Sequence, residues 1–273
     1  MTRRRLRAVA ACCAIVLVAG CNSTPDATPP APPPPNGPWT GPVSELRVVW
    51  SSEPGVDLLT GPAVVVRAWQ ESVIGNGDGG SDDFLYPGFA HAVAPDVPWP
   101  GVPPSVHYPE SHEPNPYPIV GTDRYHILRI EPSGTNVVAV YCNWFYGRAE
   151  DLGGGKYGWH IPNPPSADPV ATLWLVLTPP PDDSTPLPPQ KGPAPAPVDD
   201  VFGGWKVVQK AAAAGFDHGP PPEWPTMVDD ANACAAKAPD PLERRLFLST
   251  GIHPRSDFPT LPAFPGWPAG SAQ

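Results

Sequence analysis

The clearest apolar–polar alternation in the chain runs from Arg124 to Arg148. RYHILRIE (124–131), the Pro132-Ser133-Gly134 turn and TNVVAVYCNWFYGR (135–148) predict a β-hairpin. On the second strand Val138, Val140, Cys142, Trp144 and Tyr146 share one face, and Val137, Ala139, Tyr141 and Phe145 the other. Both faces are apolar, which predicts a central strand covered on both sides. VATLWLVLT (170–178) and VFGGWKVVQK (201–210) predict a third and a fourth strand. SELRVVWSS (44–52) fits either a short helix capped by Ser44 or a strand with Leu46, Val48 and Trp50 on one side. After it, Gly61-Pro62 places proline in a first helical turn with Thr60 or Gly61 at the cap. Val65, Ala68, Trp69, Ser72 and Val73 follow at helical spacing, and Gly75-Asn76-Gly77 is the expected stop. Asp82–Phe89 reads as a short turn or helical piece. A capped helix start is expected at Pro225–Asp229, with Thr226 and Asp229 at capping-box spacing and Cys234 two turns in. Leu242–Leu248 predicts another short helix. Between these elements, 76–122 and 179–197 read as proline-rich inserts, the second of them flexible. The expected fold is α+β: a curved antiparallel sheet of about four strands packed on an N-terminal helix, with small C-terminal helices and proline-rich loops.

The N-terminus adds a location. Arg3, Arg4, Arg5 and Arg7 precede an apolar run from Ala8 to Ala19, too short to span a bilayer comfortably, so residues 1–20 read as a secretory signal. Val18-Ala19-Gly20-Cys21 resembles a bacterial lipobox, with Cys21 as the lipidated first residue of the mature chain; the competing reading is an ordinary signal peptide with Cys21 unmodified. Residues 22–38 hold eight prolines and nothing that packs. As polyproline II this tether reaches roughly 50 Å. The rest, 39–273, is expected to form one globular domain. Lysine and arginine total 17 against 27 acids; without the four leader arginines the balance is 13 against 27, or −14. That charge argues against a nucleic-acid partner and against electrostatic adhesion to anionic lipid. Attachment then rests on acyl chains on Cys21, on the outer face of the cytoplasmic membrane.

Cys12 and Cys13 leave with the leader, and an exported compartment permits the remaining Cys142 and Cys234 to pair. Closing a loop of roughly 90 residues is worth about 4–5 kcal/mol in the chain-entropy model. Two buried free thiols, or one reactive thiol, are the rival arrangement. Nine of the ten tryptophans divide by context. Trp69, Trp144, Trp174 and Trp205 lie in predicted elements and are expected in the core. Trp39, Trp99, Trp159, Trp224 and Trp267 lie in proline- or glycine-rich loops, where an aromatic side chain pins irregular backbone to a domain or stacks on a ligand.

Signatures of common chemistries are missing from the sequence: no G-x-S-x-G, H-E-x-x-H, P-loop, dinucleotide fingerprint or C-x-x-C occurs. His107, Glu110 and His112 are the nearest approach to a metal cluster, but prolines break the segment and a fourth ligand is missing. Asp82, Asp83, Asp199 and Asp200 are paired acids near element ends, expected as solvated loop residues. His126 lies mid-strand on the face assigned to Leu128 and Ile130, a satisfied core histidine or a general base. No cofactor is expected.

Two resemblances extend this reading. A helix laid on an antiparallel sheet, with Gly204-Trp205-Lys206-Val207 in a late strand, weakly resembles nuclear-transport-factor-2-like domains over about 61–210. That family implies a cone-shaped fold with an apolar pocket on its concave face. PGVDLLTGPAVVVRAW, YPGF and GTDRYHILRIE resemble segments of uncharacterised actinobacterial, mycobacterial-type lipoproteins, a family that brings no activity with it. The expected function is a membrane-anchored, non-catalytic binding or interaction module, taking a small apolar ligand or an envelope protein. An envelope assembly factor and an extracytoplasmic hydrolase are the alternatives.

Overall fold

The structure is a computed structural model that describes residues 38–93, 115–160, 168–215 and 219–269. Eight strands form one sheet: β1 (Glu45–Ser52), β2 (Ile119–Ser133), β3 (Asn136–Trp144), β4 (Arg148–Asp151), β5 (Tyr157–Gly158), β6 (Val170–Thr178), β7 (Lys206–Ala212) and β8 (Ile252–His253). Their order is β7-β6-β3-β2-β4-β5-β8, antiparallel throughout, with β1 added to β2 in parallel. The helices are α1 (Gly61–Gly79), α2 (Phe89–Ala92), α3 (Met227–Lys237) and α4 (Leu242–Ser249).

The α+β class and the antiparallel sheet agree with expectation; the strand count does not, being eight instead of about four. The extra strands β4, β5 and β8 have four, two and two residues, too few to show a period of two. The ambiguous segment 44–52 resolves as β1, with Leu46, Val48 and Trp50 buried on one side. Parallel neighbours need a long crossover, and the chain between β1 and β2 supplies one containing α1. That crossover lays α1 on the sheet.

Helix α1 is buried on more than its predicted stripe: every residue from Ala63 to Trp69 is inaccessible. Nor does Gly75-Asn76-Gly77 stop it. The helix continues to Gly79 and ends at Gly80, which is left-handed and donates its N–H to Asn76 O at 2.7 Å. The glycines serve a close approach instead. A Cβ on Gly79 would lie 2.5 Å from the Phe84 ring, and one on Gly75 would lie 3.2 Å from Phe84 O. Phe84 sits in the 3₁₀ turn Asp82–Phe84, packed directly on the last turns of α1.

Each face of the sheet has its own core. Tyr125, Ile127, Ala139, Tyr141, Leu175 and Leu177 pack toward α1. On the other face Val140, Trp174 and Val176 meet Trp224 and Met227, while Cys142 and Trp144 meet Cys234, Leu248 and Phe258. β3 is therefore covered on both sides, as its pattern predicts. Cys142 and Cys234 form a disulfide that joins β3 to α3. Trp39, Trp224 and Trp267 are buried pins for irregular segments. Thr226 stands at the N-cap of α3 without a side-chain cap bond; its hydroxyl goes to Asp230 instead, at 2.9 Å.

Two further boundaries are corrected. The last long strand begins at Lys206, since Val201 and Phe202 are buried in the preceding loop. The insert expected at 76–122 overlaps the end of α1 and the start of β2. Segment 179–197 is mostly exposed but tied down at points: Gln190 N–H donates to Leu59 O at 2.7 Å, and Ala194 pairs with Trp267.

Candidate functional site

A cavity of about 350 Å³ opens beside the first turn of α1. Val64 and Val65 of that turn, with Val201 and Phe202 of the loop before β7, form a buried apolar floor. Pro180, Pro186, Leu187 and Pro188 form the outer wall, and Trp205 closes one side. The polar groups at the site are the neutral hydroxyls of Thr60, Ser184 and Thr185. Such a volume lies at the small end of ligand cavities and has room for on the order of ten water-sized groups.

Local chemistry explains why the wall stands where it does. Gly203 and Gly204 both adopt positive φ, 56° and 83°. A Cβ on Gly203 would come within 2.9 Å of Leu187, and one on Gly204 within 3.2 Å of Pro180. Only glycine combines this backbone with that approach. The turn is closed by Phe202 N–H donating to Asp200 Oδ1 at 2.8 Å and Trp205 N–H to Phe202 O at 3.0 Å.

The wall is latched to α1 by Arg67, which is fully buried. Its guanidinium donates to Leu58 O, Gln190 O and Gly266 O at 2.9, 3.0 and 2.7 Å and lies 4.1 Å from the Trp267 ring centre. One turn on, the Glu71 carboxylate accepts from Trp50 Nε1 (2.8 Å), Tyr86 Oη (2.7 Å) and Trp267 Nε1 (2.8 Å). Tyr86 Oη in turn accepts from Trp39 Nε1 at 2.8 Å. Burial pushes the Glu71 carboxyl above its usual range, against Arg67 and the three donors, and pushes the Tyr86 phenol far up. This network holds the N-terminal segment, the proline-rich wall and the C-terminal tail against one helix. Sequence reasoning did not single out Arg67 or Glu71. The available signal was a charge pair at i, i+4 inside the most apolar stretch of α1.

The face expected to be concave carries a smaller cleft of about 270 Å³, between α1 and strands β3, β6 and β7. Trp69, Tyr141 and Lys210 border it, with Tyr141 Oη donating to Gln70 Oε1 at 2.8 Å. Burial lowers the Lys210 ammonium below its ordinary range. Trp205, expected in the core, packs against it half-buried and also borders the larger cavity.

The residues nominated from sequence disperse. His126 does not share a face with Ile130, because the β2–β3 register shifts between Ile127 and Arg129. Ile130 packs toward α1, whereas the His126 ring stacks on Trp144 on the opposite face, 5.5 Å between centres. Its Nδ1 lies 2.9 Å from Ser51 Oγ and its Nε2 2.8 Å from Glu53 Oε1. The paired acids build turns: Asp82 accepts from Asn76 Nδ2, and Asp200 from the Phe202 N–H. Cys21, His107, Glu110, His112 and Trp99 lie outside the described residues. Among the described residues no group of three or more His, Cys, Asp or Glu is placed to hold a metal ion. No described helix is long and apolar enough to cross a membrane.

Comparison with family models, with curated proteins and with solved structures finds no match for this chain.

Proposed function

We propose that this protein is a lipid-anchored binding module of the cell envelope, held on the outer face of the cytoplasmic membrane through Cys21, with the cavity beside α1 as its ligand site. The observation that carries the reading is the apolar lining of that cavity, built from valines, prolines, Leu187, Phe202 and Trp205 around neutral hydroxyls. A small, uncharged, apolar ligand suits such a site, each buried CH₂ contributing about 0.8 kcal/mol. The nuclear-transport-factor-2-like comparison draws support from a helix packed on an antiparallel sheet, but the favoured cavity lies beside the helix end.

Native mass spectrometry of the protein extracted gently from its own membrane is the test. The expected spectrum shows the anchor mass on Cys21 and a second, non-covalent small molecule. Leu187→Asp, which places a carboxylate on the wall, should lose the second mass and keep the first. A bare lipidated chain would overturn the ligand reading, and one carrying a second protein would favour an assembly factor. Cys21→Ser should release the protein from the membrane fraction; a variant that stays bound would refute the anchor.

A further inference from the structure

A second constellation lies apart from the cavity. Ser51 and His126 are register partners on the parallel strands β1 and β2. Glu53 follows Ser51 by two residues. The three side chains make a continuous chain: Ser51 Oγ to His126 Nδ1 at 2.9 Å, and His126 Nε2 to Glu53 Oε1 at 2.8 Å. We propose that Ser51, His126 and Glu53 act as nucleophile, base and orienting acid, giving the protein carboxylic-ester hydrolase reactivity beyond its binding role.

The proton positions follow from the partners. Lys237 Nζ sits 2.6 Å from Glu53 Oε1. The hydrogen bonds from Lys237 and then His126 hold the Glu53 carboxyl below its usual range, so it is an acceptor only. His126 Nε2 must therefore carry the hydrogen that faces Glu53. In the neutral imidazole this leaves a bare lone pair on Nδ1, directed at the Ser51 hydroxyl. That is the arrangement of an activated serine, which is recognised by geometry and not by sequence position. Once protonated, the ring also has its needs met. Glu53 faces one nitrogen, Trp144 lies parallel beneath the ring within 17°, and Ser51 Oγ can accept from Nδ1 while donating to Tyr125 O at 3.2 Å.

The supporting frame is cross-linked. Trp144 Nε1 donates to Cys234 O at 2.9 Å, and the disulfide fixes that turn of α3 to β3. Lys237 closes the same helix and reaches Glu53. Ser51 is exposed on β1, open to an ester carried on a large or polymeric substrate.

The reaction balances without redox change. Ser51 Oγ adds to the ester carbonyl carbon as its proton passes to His126 Nδ1. The C–O bond to the alcohol breaks, the alcohol leaves with that proton, and the acyl group stays on Ser51. Water then gives a proton to Nδ1 and adds as hydroxide to the acyl carbon. Ser51 Oγ departs and recovers the proton, releasing a carboxylic acid. Ser51 and His126 are the catalytic residues; Glu53, Lys237 and Trp144 are positioning residues.

A fluorophosphonate probe applied to the detergent-extracted, full-length mature protein tests this, with adducts mapped by tandem mass spectrometry. Ser52 is an internal control, since its hydroxyl donates to Val56 O. The expected result is one adduct, on Ser51, lost in Ser51→Ala. His126→Gln should slow labelling by about 10²-fold or more and abolish its pH dependence. Glu53→Gln should displace the pH profile, and Glu53→Asp should restore part of it. Near-ultraviolet circular dichroism confirms that each variant keeps its packing. No adduct on Ser51, equal labelling of Ser51 and Ser52, or labelling of Ser51 indifferent to His126→Gln would overturn the proposal.

Discussion

Trp267→Phe isolates one bond of the buried network and so tests whether that network holds the proline-rich wall to α1. The wild-type indole is wholly buried, and its Nε1 donates to Glu71 at 2.8 Å. Its ring also stacks under the Arg67 guanidinium and meets Tyr86 edge-on. Phenylalanine keeps most of the apolar surface but removes a hydrogen bond to a charged acceptor, worth about 1.5–3 kcal/mol. The space left by the smaller ring adds roughly 1 kcal/mol. A loss of about 2–4 kcal/mol follows, or roughly 4–16 °C in Tm for a domain of this size. The effect carries a pH signature. Burial already raises the Glu71 carboxyl, and losing a donor raises it further. For a carboxyl raised in the folded state, stability is fully present below the unfolded value of about 4.3 and is lost as pH rises through the folded value. The variant should therefore fall further behind wild type near neutral pH than below pH 4. Calorimetry at the two pH values measures both effects, and limited proteolysis should show earlier cleavage after Phe258 in the variant. A Tm within about 1 °C of wild type, or a deficit equal at both pH values, would refute the reasoning.

Two further outcomes are expected. Replacing Cys142 and Cys234 together by alanine opens a loop spanning 92 positions. The expected cost is about 4–5 kcal/mol by denaturant titration, and a cost under 1 kcal/mol would contradict it. Asp230 is pushed up by burial, but bonds from Arg129, Trp224 and Thr226 outweigh that and hold its carboxyl below the usual range. A lowered carboxyl contributes stability above the unfolded value that is lost as pH falls through the folded one. Asp230→Asn should thus be less stable than wild type by about 2 kcal/mol at pH 7, with the gap narrowing under acid. A constant gap from pH 7 to pH 2 would exclude this role.

Local pattern was enough for what depends on local pattern. The period of two and the helical spacing are written residue by residue, so β6, α4 and the starts of β3 and α1 were legible within a residue or so. Reading residues 1–20 as a leader leaves only two cysteines to pair, so the bond between Cys142 and Cys234 was legible too. What the tertiary structure decided depends on neighbours remote in sequence. Two-residue strands such as β5 and β8 exist because a partner edge offers hydrogen bonds, and no periodicity announces them. The glycines near the end of α1 look like a stop until Phe84 is seen resting on them. A single register shift after Ile127 sends His126 and Ile130 to opposite faces, so alternation counted along the strand misplaced one of them. Segment 179–197 has no periodicity because prolines deny it a ladder, yet Arg67 and Trp267 hold its Gln190 and Ala194 across 123 and 73 positions. The cavity and the Ser51–His126–Glu53 chain both arise where separate segments meet. Sequence decides which segments are apolar, and only the packed backbone decides which side chains face one another.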